Sequence, residues 1–272
     1  MLADAKQGDD LVVAPAGTVF DVGRNRFGFA VFTVDRQQVT DADVAIYAAH
    51  GPTGTAEGPF PARAESLETE PAFVAQTTST DPDAAKAVYV TDLNLDRPGE
   101  WRLVALVKRG DETSAVRMPS IVVRKRDSIP AVRDAAPRIN TPTADQVGNI
   151  QEIDTRVPPD SMHDVDLADV IGKKPVVLLF ATPALCTSRV CGPVVDVAEQ
   201  VKREVGDEVA FIHMEIWEDN DPNKGPREQV RAFNLQTEPW LFVLDRQGRV
   251  STRIEGAFSV PELERAVDRV TE

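Results

Sequence analysis

The feature that most constrains this 272-residue chain is its pair of cysteines. The sequence contains only two, Cys186 and Cys191, and they are five positions apart. A scaffold stapled by disulfides would carry several cysteines spread along the chain, so the sequence excludes that class. Two isolated cysteines this close together indicate a local dithiol, which typically performs redox chemistry or binds a metal. The alternative is that both are small core residues.

Charge and hydropathy exclude two further classes. Lys and Arg total 30 against 44 Asp and Glu, so the net charge is −14. Because phosphate binding requires a concentrated basic face, we expect no nucleic-acid partner. No apolar run approaches the roughly 20 residues that span a bilayer, so no transmembrane segment is predicted. An apolar content of 42% is typical of a folded protein, and the length suits two domains.

The first part of the chain has the pattern of a β-domain. After a polar tail at residues 1–8, expected to be flexible, residues 9–125 hold short β-branched and aromatic runs without long helical periodicity. The predicted strands are 11–13, 26–34, 43–47, 87–90, 101–107 and 120–123. Strands at this spacing indicate an all-β antiparallel sandwich. The stretch resembles the immunoglobulin-like modules that precede redox domains in exported bacterial proteins.

The second part alternates between strand and helix. Prolines interrupt the polar stretch 126–160, which predicts an extended linker. From 161 to 272 we predict an α/β domain, with strands at 175–180, 208–217, 240–244 and 249–254 and helices at 194–204, 226–233 and 261–267. Ser259 is the predicted N-cap of the last helix.

The order strand, dithiol, helix, strand, helix, hairpin and helix resembles the thioredoxin fold over about residues 161–272. A buried strand ends at Phe180, and a cysteine follows six residues later. Gly192-Pro193 resembles the proline-kinked first helix of thioredoxins, and 233–245 resembles their proline-then-strand segment. In that family the proline is cis and faces the dithiol, so the resemblance implies the same for Pro239.

The resemblance implies thiol–disulfide exchange between this dithiol and the thiols or disulfides of protein partners. Amide donors and positive potential at a helix N-terminus lower the pKa of a cysteine, so Cys186 is the predicted nucleophile and Cys191 the resolving residue. Arg189, which lies between them, is predicted to add positive potential or to be a solvated surface residue. Pro193 is predicted to support the helix.

The partner-binding groove is predicted around the late proline. Pro239 and its neighbours Glu238 and Trp240 would line it, as the resemblance implies. Trp240 is also a candidate core residue. No cofactor and no metal are predicted.

The sequence departs from the thioredoxin pattern in two ways. Four residues separate the cysteines where thioredoxins have two. Positions i and i+5 of an unbroken helix point about 140° apart, so a disulfide requires Cys186 to lie outside the helix or the first turn to unwind. In addition, Leu179 stands where many thioredoxins carry a buried acid that accepts a proton. Glu215 or Glu238 could replace that acid, or each could be an ordinary exposed glutamate.

A thiol-peroxidase function is the first alternative. The segment 182–191 is similar to the motif of bacterioferritin-comigratory peroxiredoxins, which also place a resolving cysteine five positions on. The activating arginine of that family is absent, because Thr237-Glu238-Pro239 occupies its place. Fast peroxidase chemistry is harder to justify without a group that polarises the peroxide.

Copper delivery and a redox-inactive scaffold are the remaining alternatives. Two thiolates and an imidazole make a soft-metal site, but none of the three histidines, His50, His163 and His213, lies next to Pro239. The apolar strand around His213 favours a satisfied core histidine instead. In the scaffold alternative, the cysteines form a permanent local disulfide.

The β-domain suggests where the protein acts. A separate sandwich is easier to explain as a recognition or tethering module than as part of catalysis. Adhesion-type modules are common outside the cytoplasm, so we expect an exported or surface-anchored protein. The export signal or a membrane tether would then lie outside this sequence.

Overall fold

The computed structural model describes residues 6–8 and 10–272, which form two compact units. Unit 1 contains the described residues up to 66 together with 86–127, and unit 2 contains 67–85 and 128–272. Most of the predicted tail, residues 1–5, lies outside the described residues. Its last part does not run free, because Lys6–Gln7 forms a short strand.

Unit 1 is built of strands, as the sequence predicts. They are β1 (Lys6–Gln7), β2 (Leu11–Pro15), β3 (Phe20–Asp21), β4 (Gly23–Thr33), β5 (Gln38–Val39), β6 (Asp43–His50), β7 (Glu57–Ser66), β8 (Ala87–Leu95), β9 (Gly99–Arg109), β10 (Glu112–Arg117) and β11 (Ile121–Arg124). The main order is β1-β10-β9-β6-β7-β8-β4-β2, with β11 paired to β3 and β9, and β5 paired to β4. Neighbours are antiparallel except in the pairs β1–β10 and β3–β11.

The sheet of unit 1 curls around one core. Leu11 of β2 and Val116 of β10 come from opposite ends of the strand order, yet both belong to the same apolar cluster. Inside it, Phe29 stacks on Tyr89 with ring centroids 5.6 Å apart, and the Trp101 side chain is fully buried. The all-β prediction is therefore confirmed. The immunoglobulin-like arrangement stays a prediction, because β7 pairs with both β6 and β8 and joins the strands into one hydrogen-bonded sheet.

Unit 2 combines a four-stranded sheet with helices. The strands are β12 (Val176–Phe180), β13 (Ala210–Met214), β14 (Trp240–Leu244) and β15 (Val250–Glu255). The helices are α1 (Gln76–Ser79), α2 (Leu167–Val170), α3 (Cys191–Val205), α4 (Glu228–Ala232) and α5 (Val260–Thr271), and short 3-10 helices occupy Ile150–Glu152, Gly206–Glu208, Glu218–Asn220 and Pro222–Lys224. Among the described residues, no helix is both long and apolar enough to cross a membrane.

The sheet order β13-β12-β14-β15 gives the thioredoxin-like topology that the sequence predicts. β12 and β13 are parallel and α3 connects them, whereas β14 and β15 form an antiparallel hairpin beside β12. Every residue of β12, β13 and β14 is buried, which explains their continuous apolar runs. The Ser259 hydroxyl accepts a hydrogen bond from the Glu262 amide at 3.2 Å, so the predicted N-cap of α5 is confirmed.

The stretch predicted as a linker packs into unit 2 instead. Residues 126–160 have little regular structure, but Asp154 and Arg156 are buried and Ala135 forms a β-bridge with Arg249. The Thr141 amide donates a hydrogen bond to Asp166 Oδ1 at 2.8 Å. The structure therefore differs from the predicted boundary at 161, and unit 2 continues back to residue 128. Specific polar contacts hold this segment, and composition does not reveal them.

A second segment of unit 2 comes from the middle of the predicted β-domain. Residues 67–85 leave the sheet of unit 1 after β7 and pack against α3. The Glu70 amide donates to Gln200 Oε1 at 2.9 Å, and the buried Ala75 amide donates to Asp196 Oδ2 at 3.2 Å. The 67–85 segment therefore holds one side of the helix that begins at Cys191.

A substitution at the contact between α3 and the 67–85 segment tests this packing. A Cβ on Gly192 would lie 2.8 Å from Thr78 Oγ1. We expect Gly192→Ala to lower the free energy of unfolding by about 1–3 kcal/mol, because overpacking outweighs the helix-propensity gain of at most about 1 kcal/mol. In a Thr78→Ala background the same change should become neutral or stabilising, since the next contact is 3.7 Å away. Urea unfolding of the wild type, the two single variants and the double variant measures these free energies. An equal loss of stability from Gly192→Ala in both backgrounds would contradict the prediction.

Candidate active site

The two cysteines lie in the connection from β12 to α3 and at the start of α3. Cys191 is the first residue of α3, and Cys186 is in the preceding loop, outside the helix. This arrangement meets the requirement that a five-residue spacing imposes on a disulfide. Both cysteines are free thiols. Their Sγ atoms and a Glu238 carboxylate oxygen all lie within 4.8 Å of one another.

The pKa values of the two thiols shift in opposite directions, because Cys191 is deeply buried and donates a hydrogen bond to Cys186. Cys191 donates this bond to Cys186 Sγ and is the largest influence on that thiol; burial opposes it, while Ser188 and the Cys191 amide assist it. The result lowers the pKa of Cys186 to about 5. Burial raises the pKa of Cys191 well above its usual range, and its bond to Cys186 raises it further. At neutral pH the site therefore holds a thiolate at Cys186 and a thiol at Cys191.

The half-buried Glu238 places a carboxyl group against this pair. Burial, followed by the negative charges of Cys186 and Glu215, raises the pKa of Glu238 to about 8. Within the described part of the chain, its buried Oε2 atom has no hydrogen-bond partner. The peptide bond from Glu238 to Pro239 is cis, as the resemblance implies, and Pro239 is buried.

Glu215 is a second acid beneath the site. It follows β13 and is 1% exposed, so it is not the surface glutamate that the sequence allowed. Its Oε1 atom accepts a hydrogen bond from the Thr155 amide at 2.7 Å, and burial raises its pKa. The Thr155 hydroxyl in turn accepts a hydrogen bond from the Ala184 amide at 3.1 Å, so Glu215 helps to hold the cysteine loop.

Arg189 does not support the thiolate. Its guanidinium pairs with Asp81 and Asp83 of the 67–85 segment, and its carbonyl oxygen accepts a hydrogen bond from the Ala85 amide. Its backbone has a positive φ of 60°. The residue therefore anchors the cysteine loop to the 67–85 segment, a contact that its position between the cysteines does not reveal.

Pro193 lies within α3 and Trp240 lies in the core of unit 2. Pro193 is in the first turn of α3, where its missing amide proton would have no partner within the helix, so it does not kink α3. Trp240 is 2% exposed, stacks on Phe242 and donates its indole N–H to Thr237 Oγ1 at 3.0 Å. The predicted groove role of Trp240 is therefore wrong, because its ring belongs to the core.

Three contributors to the site are not predicted from the sequence. The Ser188 hydroxyl lies 3.1 Å from Cys186 Sγ, the Thr182 amide donates a hydrogen bond to Cys191, and Thr155 connects Glu215 to the loop. The position of Ser188 two residues after the nucleophile was a usable signal, since short polar side chains commonly bond to nearby groups. No local sequence signal indicates the role of Thr155, because it is 60 residues from Glu215 in the chain.

The dithiol offers a metal ion two sulfur atoms and one carboxylate. Within the described residues no histidine joins this group, so the imidazole that copper delivery needs is missing. His50 belongs to unit 1, where it lies against Trp101. His163 and His213 lie together in a separate buried cluster with Asp154 and Asp160.

Solved structures are similar to part of this chain. No family model and no curated protein match the chain. Two solved structures from Chlorobium tepidum are similar to about half of it. A thiol:disulfide interchange protein of the thioredoxin family is 21% identical and covers 52% of this chain and 99% of its own, with a TM-score of 0.35. A protein described as thiol:disulfide interchange protein DsbE is 16% identical and covers 53% and 99%, with a TM-score of 0.38.

The acidity of Cys186 can be measured directly. We expect its alkylation rate to follow an ionisation near pH 5, whereas Cys191 stays unreactive at neutral pH. Ser188→Ala should raise the pKa of Cys186 by roughly one, because a hydrogen bond to a charged group contributes about 1.5 kcal/mol or more. Thr187→Ala, a change of similar size in the same loop, is the control. Equal pH profiles for Ser188→Ala and wild type, read by mass after alkylation, would contradict this role.

Proposed function

We propose that this protein carries out thiol–disulfide exchange with protein partners, using Cys186 as the nucleophile and Cys191 as the resolving cysteine. The observation that carries the proposal is the hydrogen bond between a partly buried, acidic Cys186 and a buried, weakly acidic Cys191. A low pKa supplies the attacking thiolate, and burial keeps the second thiol from reacting on its own. Pro239 lies next to Glu238 and would border the groove for the partner.

The reaction has two steps, written here for a partner that carries a disulfide. The Cys186 thiolate attacks one sulfur of that disulfide, forms a mixed disulfide and releases the other partner sulfur as a thiolate. Cys191 then loses its proton and attacks Cys186 Sγ, which releases the second partner sulfur. The protein gives up two electrons and closes its disulfide, and the partner gains a dithiol. The reverse sequence oxidises the partner.

Glu238 is the group suited to move the proton of Cys191. In the reduced protein its pKa of about 8 keeps it mostly protonated at neutral pH. Burial, the largest cause of the raised pKa, persists in the mixed disulfide, but loss of the negative charge of Cys186 lowers the pKa of Glu238 and increases its carboxylate fraction. That carboxylate is within 4.8 Å of Cys191 Sγ and can accept its proton in the second step.

The alternatives have weaker support. A peroxidase needs a positive group that polarises the peroxide, and Arg189 is engaged by Asp81 and Asp83. Copper delivery lacks an imidazole beside the thiols within the described residues. A permanent structural disulfide is less suited to a strongly acidic cysteine, since low pKa favours exchange.

Unit 1 is proposed as a recognition or tethering module with an immunoglobulin-like arrangement. Its support is the exclusively β character of the described part of unit 1, together with a cysteine pair that belongs wholly to unit 2. An exported or surface-anchored location fits such a module, and protein thiols or disulfides would be the partners.

Redox titration tests the proposed exchange. We expect alkylation and mass analysis in glutathione buffers to give a midpoint above roughly −300 mV, because structural disulfides are more resistant to reduction. Cys191→Ser should accumulate a mixed disulfide with a partner peptide, and Cys186→Ser should form none. Absence of a disulfide at every glutathione ratio, or one that resists reduction, would contradict the function.

The role of Glu238 is tested by pH dependence. Glu238→Gln should slow resolution of a preformed mixed disulfide on the order of 100-fold, because the proton acceptor is lost. The rate should then rise steadily with pH, since only hydroxide can take the proton of Cys191. Alkylation of Cys186 should not change, which separates a proton-transfer role from a damaged fold. Glu228→Gln, at an exposed glutamate, is the matched control. A wild-type pH profile in Glu238→Gln would rule out this role.

A further inference from the structure

A second group of chemically reactive side chains is buried in unit 2, apart from the dithiol. It consists of Asp154, Asp160, His163 and His213, which are between 0% and 8% exposed. Each offers one oxygen or nitrogen atom, and these four atoms lie within 4.8 Å of one another. Three of the residues come from the segment 154–163, and His213 comes from β13. The proposed exchange reaction uses none of them.

His163 differs from the rest of this cluster in the hydrogen bonding of its side chain. Among the described residues, neither of its ring nitrogens makes a hydrogen bond, although its side chain is 2% exposed. Its Nε2 atom lies 3.4 Å from Asp154 Oδ2 and 3.4 Å from Asp160 Oδ1. These separations are long for hydrogen bonds. They match the spacing of about 3.4 Å between two ligands that bind one tetrahedral Zn²⁺ ion at about 2.0–2.1 Å.

His213 has the second contact that a metal-bound imidazole usually makes. Its Nε2 atom is 3.1 Å from the Ala181 carbonyl oxygen, so an Nε2–H can donate there. Ligating histidines typically donate their other N–H to such an acceptor. This leaves Nδ1 facing Asp160 Oδ2 at 2.7 Å. This is a hydrogen-bond distance, so a proton fills the contact when no cation is bound.

The carboxylates are held in place before any cation binds. Asp154 accepts hydrogen bonds from the amides of Arg156 and Asp160, and Asp160 accepts one from the Met162 amide. These contacts fix the orientation of both groups. The charge of two carboxylates also equals that of one divalent cation.

We propose that Asp154, Asp160, His163 and His213 bind one divalent first-row transition-metal ion, with Zn²⁺ as the expected occupant. Two imidazoles and two carboxylates suit Zn²⁺ better than Ca²⁺ or Mg²⁺, which prefer all-oxygen sites. Binding replaces the proton between His213 and Asp160, and that proton is released to solvent. A closed site with four protein ligands has a structural role. It ties the segment 154–163 to β13.

Metal content and ligand type in the wild-type protein give the first test. Protein freed of metal with a chelator and then exposed to ZnCl₂ should retain about one Zn²⁺ per chain after gel filtration. X-ray absorption should show only Zn–N and Zn–O distances of about 2.0–2.1 Å. No retained zinc, or Zn–S distances of about 2.3 Å, would overturn the proposal. This test needs no variant and is independent of whether the dithiol exchanges.

Variants then locate the ion. His163→Gln should weaken Zn²⁺ binding about 100-fold or more, since even changes to groups behind the ligands cost 10–100-fold. His50→Gln, the same change in unit 1, should bind as wild type does, and so should the double variant Cys186→Ser/Cys191→Ser. Loss of zinc in the cysteine variant with retention in His163→Gln would place the ion at the dithiol and overturn the proposal. Near-ultraviolet circular dichroism checks that each variant is folded.

Discussion

A buried ion pair joins the three segments that build the candidate active site of unit 2. Arg156 Nε donates to Asp196 Oδ1 at 2.9 Å, and both side chains are at most 5% exposed. Removing two charges from water is costly, and such a pair persists only when its other hydrogen-bonding groups are satisfied. Here Arg156 also donates to the carbonyl oxygens of Phe73 and Pro158, and Asp196 accepts from the Ala75 amide. The pair therefore holds the 67–85 segment and residues 154–160 against α3.

The chemistry of the dithiol follows from this support. α3 begins at Cys191, so a helix fixed by the ion pair also fixes the buried thiol and the amide that faces Cys186. Arg189 fastens the other side of the loop to Asp81 and Asp83. With both sides held, the deeper burial of Cys191 and the hydrogen bonds to Cys186 distinguish the two cysteines. Cys191, the more deeply buried, stays protonated and donates a hydrogen bond to Cys186, which is the thiolate.

Local sequence patterns predict the elements whose residues are uniformly buried, but they do not predict contacts between residues that are far apart in the chain. The runs that became β12 and β14 are apolar throughout, and the Ser259 cap depends on a residue three positions away, so local rules predict all three. The 67–85 segment could not be assigned to unit 2, because Ala75 meets Asp196 across 121 residues. The packing of 128–160 likewise depends on individual polar contacts, and the prolines there suggested only an extended chain. The cysteine pair and Glu238 were predictable by position; their mutual geometry was not.

This site differs from the thioredoxin pattern at the position where many thioredoxins carry a buried acid, which is Leu179 here. Leu179 is fully buried and apolar, so β12 supplies no proton acceptor beneath the dithiol. The carboxylate comes instead from Glu238, on the residue before Pro239. In the proposed reaction this places the proton acceptor at the edge of the groove that a partner would occupy. A bound partner would exclude water from Glu238 and raise its pKa, whereas the mixed disulfide removes the charge on Cys186 and lowers it. Proton transfer from Cys191 would therefore depend on both the docking of the partner and the state of Cys186.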